Sequence, residues 1–370
     1  MTFQLEIMAR ELRAALDIAS TVTDHGIKVP ILKCTRIEVN DGTVTFIATN
    51  TDHSIRASAA ASGSGIVHLD TAMLAQKASA LRQDQPVKLS GDEKFVTITQ
   101  GKTRWRVPVI FGDDFPTRVV EEIVGNGVTI SAAPLLAAIR AVIPVIESTD
   151  NRIIGQGPLF DTASGFRVVG AGKSGLNVVQ MDDGGPSRDM IIPNGSVAAI
   201  LSLFRDATSL DLHADEKAFT LSDGDILYRS KMIEGTYMEW RRALKQTEGN
   251  SLSVSIRSAD LLEALNRATA IREDVNKSGR WVAVKVTFAG GECSVVATNK
   301  FSEEGLDICP CEGDDGTFGI ASGVLQMGIE SLGEEEIIIS FSETESPVML
   351  SPKNGNGRDN YRIVMPMRVA

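Results

Sequence analysis

The stretch VVGAGKSGL, residues 168–176, carries the residue types of a phosphate-binding loop: glycines, a lysine, a following serine and a strand-like lead-in. Such a loop follows G-x-x-x-x-G-K-[ST] and opens a helix whose N–H groups hold the phosphates. Five positions before Gly172 stands Arg167, where the pattern requires glycine. The continuation Gly175, Leu176, Asn177, Val178, Val179 is largely apolar and β-branched, and it soon meets Asp182-Asp183-Gly184-Gly185. The stretch therefore reads as strand, turn and second strand. The Cys-Pro-Cys run at 309–311 is the only close cysteine pair, with no histidine near it, and reads as a strand end more readily than as a metal site. His25, His53, His68 and His213 have no metal-ligand spacing. No Ser-His-Asp or paired-carboxylate constellation stands out, so no catalytic residue, metal or cofactor is assigned.

The elements that carry these residues repeat. ELRAAL (11–16), PLLAAI (134–139) and DLLEAL (260–265) share one helical pattern, each after a short alternating stretch. TAMLAQKASAL (71–81), NGSVAAILSLF (194–204) and SGVLQMGIESL (322–332) form a second set. FIATNTDHSI (46–55), VVGAGKSGL and VVATNKFSEEGL (295–306) form a third, strand and then turn. GAGKS thus fills the slot of ATNTD and ATNKF, a tight turn that uses Gly and Asn for unusual backbone angles. The expectation is α+β: three tandem copies of one domain, each with two helices on antiparallel sheet. The domains run over 1–122, 123–248 and 249–370, with polar, glycine-containing boundaries at 119–127 and 245–251.

With 43% hydrophobic residues the chain has ample material for its cores. A net charge of −11 excludes a chain that is basic all over, but leaves room for cations gathered on one surface. The amino terminus, with Glu6, Arg10, Glu11 and Arg13 inside its apolar pattern, reads as folded structure instead of a signal peptide. No apolar run reaches membrane-spanning length. Cys34, Cys293, Cys309 and Cys311 read as reduced thiols of a cytoplasmic protein.

Several motifs in order resemble the bacterial sliding clamp, the beta subunit of DNA polymerase III. They are VPILKCTRIEVNDG (29–42), GDDFP (112–116), Arg152 with Gly157 and LFD (159–161), WRRAL (240–244) and YRIVMPMR (361–368). The resemblance covers the whole chain. It implies a head-to-tail homodimer closed into a ring of six similar domains, with helices lining the hole and sheets outside. Duplex DNA, encircled without sequence preference, passes through, and the ring tethers a polymerase; no bond is made or broken. Alternatives are a specialised second clamp serving a phage, plasmid or repair polymerase, and a nucleotide-binding enzyme built on GAGKS.

The resemblance also assigns residues. A pocket for short peptide motifs of polymerase and clamp-loader subunits would use Arg152, Ile154, Leu176, Met238, Arg242 and Ala243. From the C-terminal segment it would add Ile363, Val364, Met365, Pro366, Met367 and Arg368. Methionines suit a site that repacks around different peptides. Where the family has a T-D-G-H-R-L-like run, this chain has Ala171, Lys173, Ser174 and Gly175 beside Leu176, which implies a pocket of altered shape. DNA-facing cations would be Arg10 and Arg13, opposite Leu12, Leu16 and Ala19 on the helical wheel, with Lys28, Lys77, Arg82, Arg140, Arg205 and Arg267. Pro193 is followed by Asn194 and Gly195 instead of the family's basic residues, and Ile153 and Ile154 replace tyrosines. The dimer contact would pair Lys102, Arg104, Trp105 and Val107 with Ile271, Glu303 and Glu304 of a second copy.

Overall fold

The computed structural model describes residues 3–369 except 24–27, 41, 111–113, 117–126, 272–281, 300–301, 343–345 and 355–358. One element order occurs three times. The first module contains β1 (Phe3–Met8), α1 (Ala9–Ser20), β2 (Cys34–Asn40), β3 (Thr43–Thr49), β4 (His53–Ala60), β5 (Ser62–Asp70), α2 (Thr71–Ser79), β6 (Pro86–Gly91), β7 (Phe95–Gln100) and β8 (Thr103–Pro108). The second contains β9 (Val128–Ser131), α3 (Ala132–Val142), β10 (Leu159–Asp161), β11 (Arg167–Ala171), β12 (Gly175–Gln180), β13 (Met190–Ile191), α4 (Asn194–Leu203), β14 (Ser209–Ala214), β15 (Ala218–Ser222) and β16 (Ile226–Lys231). A short helix, α5 (Arg241–Thr247), follows. The third contains β17 (Leu252–Arg257), α6 (Ser258–Ala268), β18 (Ala283–Ala289), β19 (Glu292–Thr298), β20 (Glu304–Pro310), β21 (Glu312–Gly313), β22 (Gly316–Ala321), α7 (Ser322–Leu332), β23 (Glu336–Phe341), β24 (Val348–Pro352) and β25 (Asn360–Val364). Apart from the two-residue β21, each module is strand, helix, four strands, helix, three strands.

Local chemistry sets these elements. In α1, Ala9, Leu12, Ala15, Leu16 and Ala19 are buried at helical spacing, while Arg10 and Arg13 are exposed. Asp70 caps α2 by accepting from the Met73 N–H at 2.8 Å. Gly333, at φ +72°, ends α7 in the left-handed conformation that costs glycine least. In the first module Leu12 and Leu16 of α1 meet Leu74 and Ala78 of α2 over Phe3, Leu5, Ile7, Ile37 and Phe46. Each of these leucine, isoleucine and phenylalanine side chains, fully buried, contributes about 1.5–3 kcal/mol.

The chain forms two compact units, residues 1–133 with 195–232, and residues 134–194 with 233–370. The second module supplies strands to both. In the first unit one antiparallel sheet runs β8-β7-β6-β1-β5-β2-β3-β4-β16-β15-β14-β9. In the second unit the orders are β13-β10-β11-β12-β25-β24-β23-β17-β21 and β20-β19-β18-β22. Neighbouring modules join by one rule: the fourth strand of one pairs with the last strand of the next. β4 pairs with β16 (Ile55 opposite Tyr228), and β12 pairs with β25 (Asn177 opposite Arg362). Among the described residues β8, the last strand of the first module, and β20, the fourth strand of the third, each end a sheet.

The GAGKS stretch is the turn between β11 and β12, closed by Gly172 N–H donating to Gly175 O at 2.9 Å. A strand follows it, so the helix terminus of a phosphate loop is not there. Asn50 and Asn299 carry the equivalent turns. Asn50 Oδ1 accepts from the Asp52 and His53 N–H groups, and Asn299 Oδ1 accepts from that of Glu303. The unusual backbone angles expected of Gly and Asn fall instead on Thr51 (φ +78°) and Ser302 (φ +61°). The asparagine side chains bind the turns, and that relieves their own backbones of the left-handed role. The boundary stretch at 119–126 lies outside the described residues.

Candidate functional site

An open cleft of ≈ 710 Å³ in the second unit is lined by Asn151, Arg152, Ile153, Ile154, Gly172, Lys173, Thr236 and Met238. Its backing is a cluster that joins Ile154, Leu176 and Ile363 to Tyr237 and Trp240, with Ala243 packed against it. These four sequence-derived residues are therefore neighbours, as floor more than as rim. The β12–β25 register puts Leu176 opposite Ile363 and Gly175 opposite Val364. A Cβ on Gly175 would lie 2.3 Å from Ile363 O, so glycine there lets the C-terminal strand approach. Val364 turns instead into the third module's core.

Beyond β25 the chain is tied twice. Met365 N–H donates to Ser174 O at 3.0 Å, and Met367 N–H to Gly319 O at 2.8 Å. Met365 and Met367, each 44% exposed, are thus presented on a fixed backbone, and Met238 is exposed as well. Arg242 and Arg368 are also exposed. The segment around Met238 is positioned from behind. Asp161, nearly inaccessible, accepts from Trp240 Nε1 at 2.9 Å and from both Arg241 Nη atoms at 2.8 and 2.6 Å.

Charge at the cleft is ordered. Arg152 Nε and Nη2 grip Asp150 at 3.1 and 2.7 Å, and this hydrogen bonding holds the Asp150 carboxyl down at about 2. Lys173, at the tip of the β11–β12 turn, meets Glu147 only at 3.9 Å. Behind the cleft Arg362 is fully buried. It donates to Ser331 O, Ser331 Oγ, Val178 O, Tyr361 O and Asn360 Oδ1. Burial lowers its pKa to about 9, so it stays charged at neutral pH. This clasp ties α7, β12 and β25 together.

The expected DNA-facing cations do not stand alike. Arg10, Arg13, Lys28, Arg140 and Arg205 are exposed, and Lys77 is half-buried. Arg13 meets Asp17 at 3.8 Å and Arg205 meets Asp206 at 3.0 Å. Arg82 is exposed but lies past the end of α2, because the helix stops at Ser79. Arg267 is held by Asp307 and by Glu263 at 3.1 Å, so its charge is largely answered within the chain.

On the edge strands, Lys102 and Arg104 are exposed. Val107 corrects the expectation of an outer anchor: it is 2% exposed and belongs to the first module's core. Trp105 has the same parity and packs partly against that core. The outward residues of β8 are Arg104 and Arg106, and the Arg106 guanidinium lies 3.8 Å over the Phe95 ring. Ile271 also packs partly against a core, that of the third module. Glu303 and Glu304 are exposed. Sequence reading missed Leu306 and Ile308, which stand 56% and 48% exposed on β20. Their signal was alternation with Cys309, which takes the core side instead.

Among the described residues no cluster of three or more His, Cys, Asp or Glu side chains could hold a metal ion, and no helix is long and apolar enough to cross a membrane. Residues 3–119 match the family model for the N-terminal domain of the DNA polymerase III beta subunit. The chain is 23% identical over 359 residues to the beta sliding clamp of Lactococcus lactis, covering 92% of this chain and 93% of that one. A beta sliding clamp from Proteus mirabilis is similar to the same extent, 23% over 360 residues. Among solved structures, a sliding clamp from Pseudomonas aeruginosa bound to griselimycin superposes with a TM-score of 0.89 at 19% identity, with 100% of both chains covered. The C. crescentus beta sliding clamp does so at 0.89 and 20%, covering 100% of this chain and 99% of that one. Over its first third the chain thus matches the family model, and along most of its length it is similar to bacterial beta sliding clamps.

Proposed function

We propose that the chain is a DNA sliding clamp: two copies close head to tail into a ring that encircles duplex DNA and tethers a polymerase. The modules are taken as 1–122, 123–248 and 249–370, and the ring works in the bacterial cytoplasm without catalysis. One observation carries this. The junction of a fourth strand with a last strand is used twice within the chain and left open once at each end, at β20 and β8. A second copy offers the missing strand at both places, and closure removes two edges that would otherwise template aggregation.

Retention by enclosure needs only weak contacts to DNA, since each phosphate neutralised would add salt-dependent friction. Arg10, Arg13 and Arg140, exposed on α1 and α3, are suited to that task. Two chains carry twice −11, or −22, which discourages DNA from lying elsewhere on the surface. The cleft lined by Met238, with Met365 on the segment tied to its β11–β12 turn, is the site proposed for partner peptides. The test is retention on nicked circular DNA after treatment with a clamp-loader fraction and ATP. Protein that stays on the circle and leaves when the circle is cut supports enclosure. Equal retention on circle and linear duplex would refute it.

A further inference from the structure

We infer that Cys311, Cys309 and Cys293 form a peroxide-reactive thiol relay whose product is a reversible disulfide between Cys293 and Cys309, stapling the edge strand β20 to β19.

The three thiols share one face of two neighbouring strands. Cys293 of β19 stands directly opposite Cys309 of β20, and both lie in the third module's core, at 0% and 5% exposure. Cys311, just past Pro310, packs against the same core but is only half-buried, so a small oxidant meets it first. The Cys311 N–H donates to Gly291 O at 2.9 Å, which makes these two a hydrogen-bonded pair, and the ladder makes Cys293 and Cys309 the next such pair. Pro310 falls between them, opposite Glu292, where no N–H is needed.

Spacing ranks the possible bonds. Hydrogen-bonded partners have Cα atoms about 5.5 Å apart, near the commonest disulfide value. Cys309 and Cys311, two residues apart along extended chain, are about 6.6 Å apart, close to the upper limit. Cys293 and Cys311 are diagonal neighbours at about 7–8 Å, beyond that limit. A bond between Cys309 and Cys311 is therefore strained and passes to Cys293.

The chemistry balances with hydrogen peroxide as oxidant. The Cys311 thiolate attacks the peroxide, whose O–O bond breaks to leave a sulfenic acid and hydroxide. The Cys309 sulfur attacks that of Cys311 and displaces its oxygen as a second hydroxide. Cys293 then attacks Cys309, and Cys311 leaves as a thiolate that takes the Cys293 proton. The protons of Cys309 and Cys311 turn both hydroxides to water, so two thiols and one peroxide give one disulfide and two waters. The Cys293 thiol donates to the Cys309 sulfur, which lowers the pKa of Cys309 and, with burial, raises that of Cys293. Burial raises Cys311 as well, so the first step is slow and needs sustained peroxide.

The test exposes the reduced full-length protein to hydrogen peroxide and ends the reaction with catalase. Thiols counted with dithionitrobenzoate in denaturant should fall from the four of the sequence to two. The intact mass should fall by two hydrogens, dithiothreitol should reverse both changes, and digestion with fragmentation should place the bond between Cys293 and Cys309. Cys311→Ser should slow the linkage about tenfold, and Cys293→Ser should trap the Cys309–Cys311 bond. The thiol count and digest of the unsubstituted protein stand even where a serine variant folds poorly. Four thiols left after peroxide, oxygen gained without a disulfide, or linkage in Cys311→Ser as fast as in the unsubstituted protein would overturn the inference.

Discussion

The two junctions within the chain fix a register for the one between chains. The turn closed by Asn50 and His53 precedes Ser54, and the turn closed by Asn299 and Glu303 precedes Glu304. Ser54 therefore corresponds to Glu304, and Ile55 to Gly305. On the last strands, Thr103 and Ile226 close equivalent two-residue turns, so Trp105 corresponds to Tyr228 and Arg106 to Arg229. Since Ile55 faces Tyr228 and Ser54 faces Arg229, Trp105 should face Gly305 of a second copy and Arg106 should face its Glu304. A Cβ on Gly305 would lie 2.0 Å from Ala268 O, so the slot opposite the indole is held free of a side chain. An exposed cross-strand ion pair contributes about 0.2–1 kcal/mol, and a like-charge pair costs a similar amount. Arg106→Glu should then cost about 1 kcal/mol per junction. A two-chain ring has two junctions, so the dimer weakens by about 2 kcal/mol, or about thirtyfold in Kd. Glu304→Arg should do the same, and the double exchange should restore assembly to within a few fold. Sedimentation equilibrium measures this, with urea unfolding as a control because both side chains are exposed. Two weakened single variants with no recovery in the double exchange would refute the register.

Three further outcomes are expected. Arg362→Met strands carbonyls of Val178, Ser331 and Tyr361 in the interior and should lower unfolding stability by about 2 kcal/mol or more; an unchanged urea midpoint would contradict this. His53 Nδ1 lies 2.9 Å from Tyr228 Oη and 3.5 Å from Ser196 Oγ; burial lowers its pKa below 6.5, against the raising influence of Asp52 and with a lowering one from Lys231. Below pH 6.5 the unfolded chain then binds more protons than the folded one, so stability should fall with pH from 6.5 downward. His53→Gln should remove that slope, and parallel slopes in thermal unfolding would contradict it. Arg10→Ala with Arg13→Ala should reduce the salt dependence of DNA binding more than Arg267→Ala, whose side chain is already held by Asp307 and Glu263. Equal effects by titration at several salt concentrations would contradict it.

The threefold module was legible because each copy writes the same local signals. ELRAAL, PLLAAI and DLLEAL are α1, α3 and α6, and the second helical set is α2, α4 and α7. Strand-turn-strand at GAGKS followed from the apolar residues after Gly175. The continuity of sheet through β4–β16 and β12–β25 was not legible, since strand pairing over such separations leaves no periodic trace. Alternation in TRWRVP divides two faces without saying which is inside. The core took Val107, and the arginines were left outside. In GLDICP the small Cys309 entered the core and Leu306 and Ile308 stayed out, contrary to size. Arg362 of YRIVMPMR is fully buried, which the motif alone does not announce; neutral acceptors surround its guanidinium. Arg152, Ile154 and Met238 of the cleft came from motif likeness, and Lys173 from its departure from the family's run, whereas Asn151 and Thr236 carried no signal in the sequence.

Electron microscopy of the isolated protein tests enclosure most directly. Projections of a closed toroid of two chains, with a central hole wide enough for duplex DNA, are expected. A compact particle without a hole, at concentrations where the protein is fully dimeric, would contradict it.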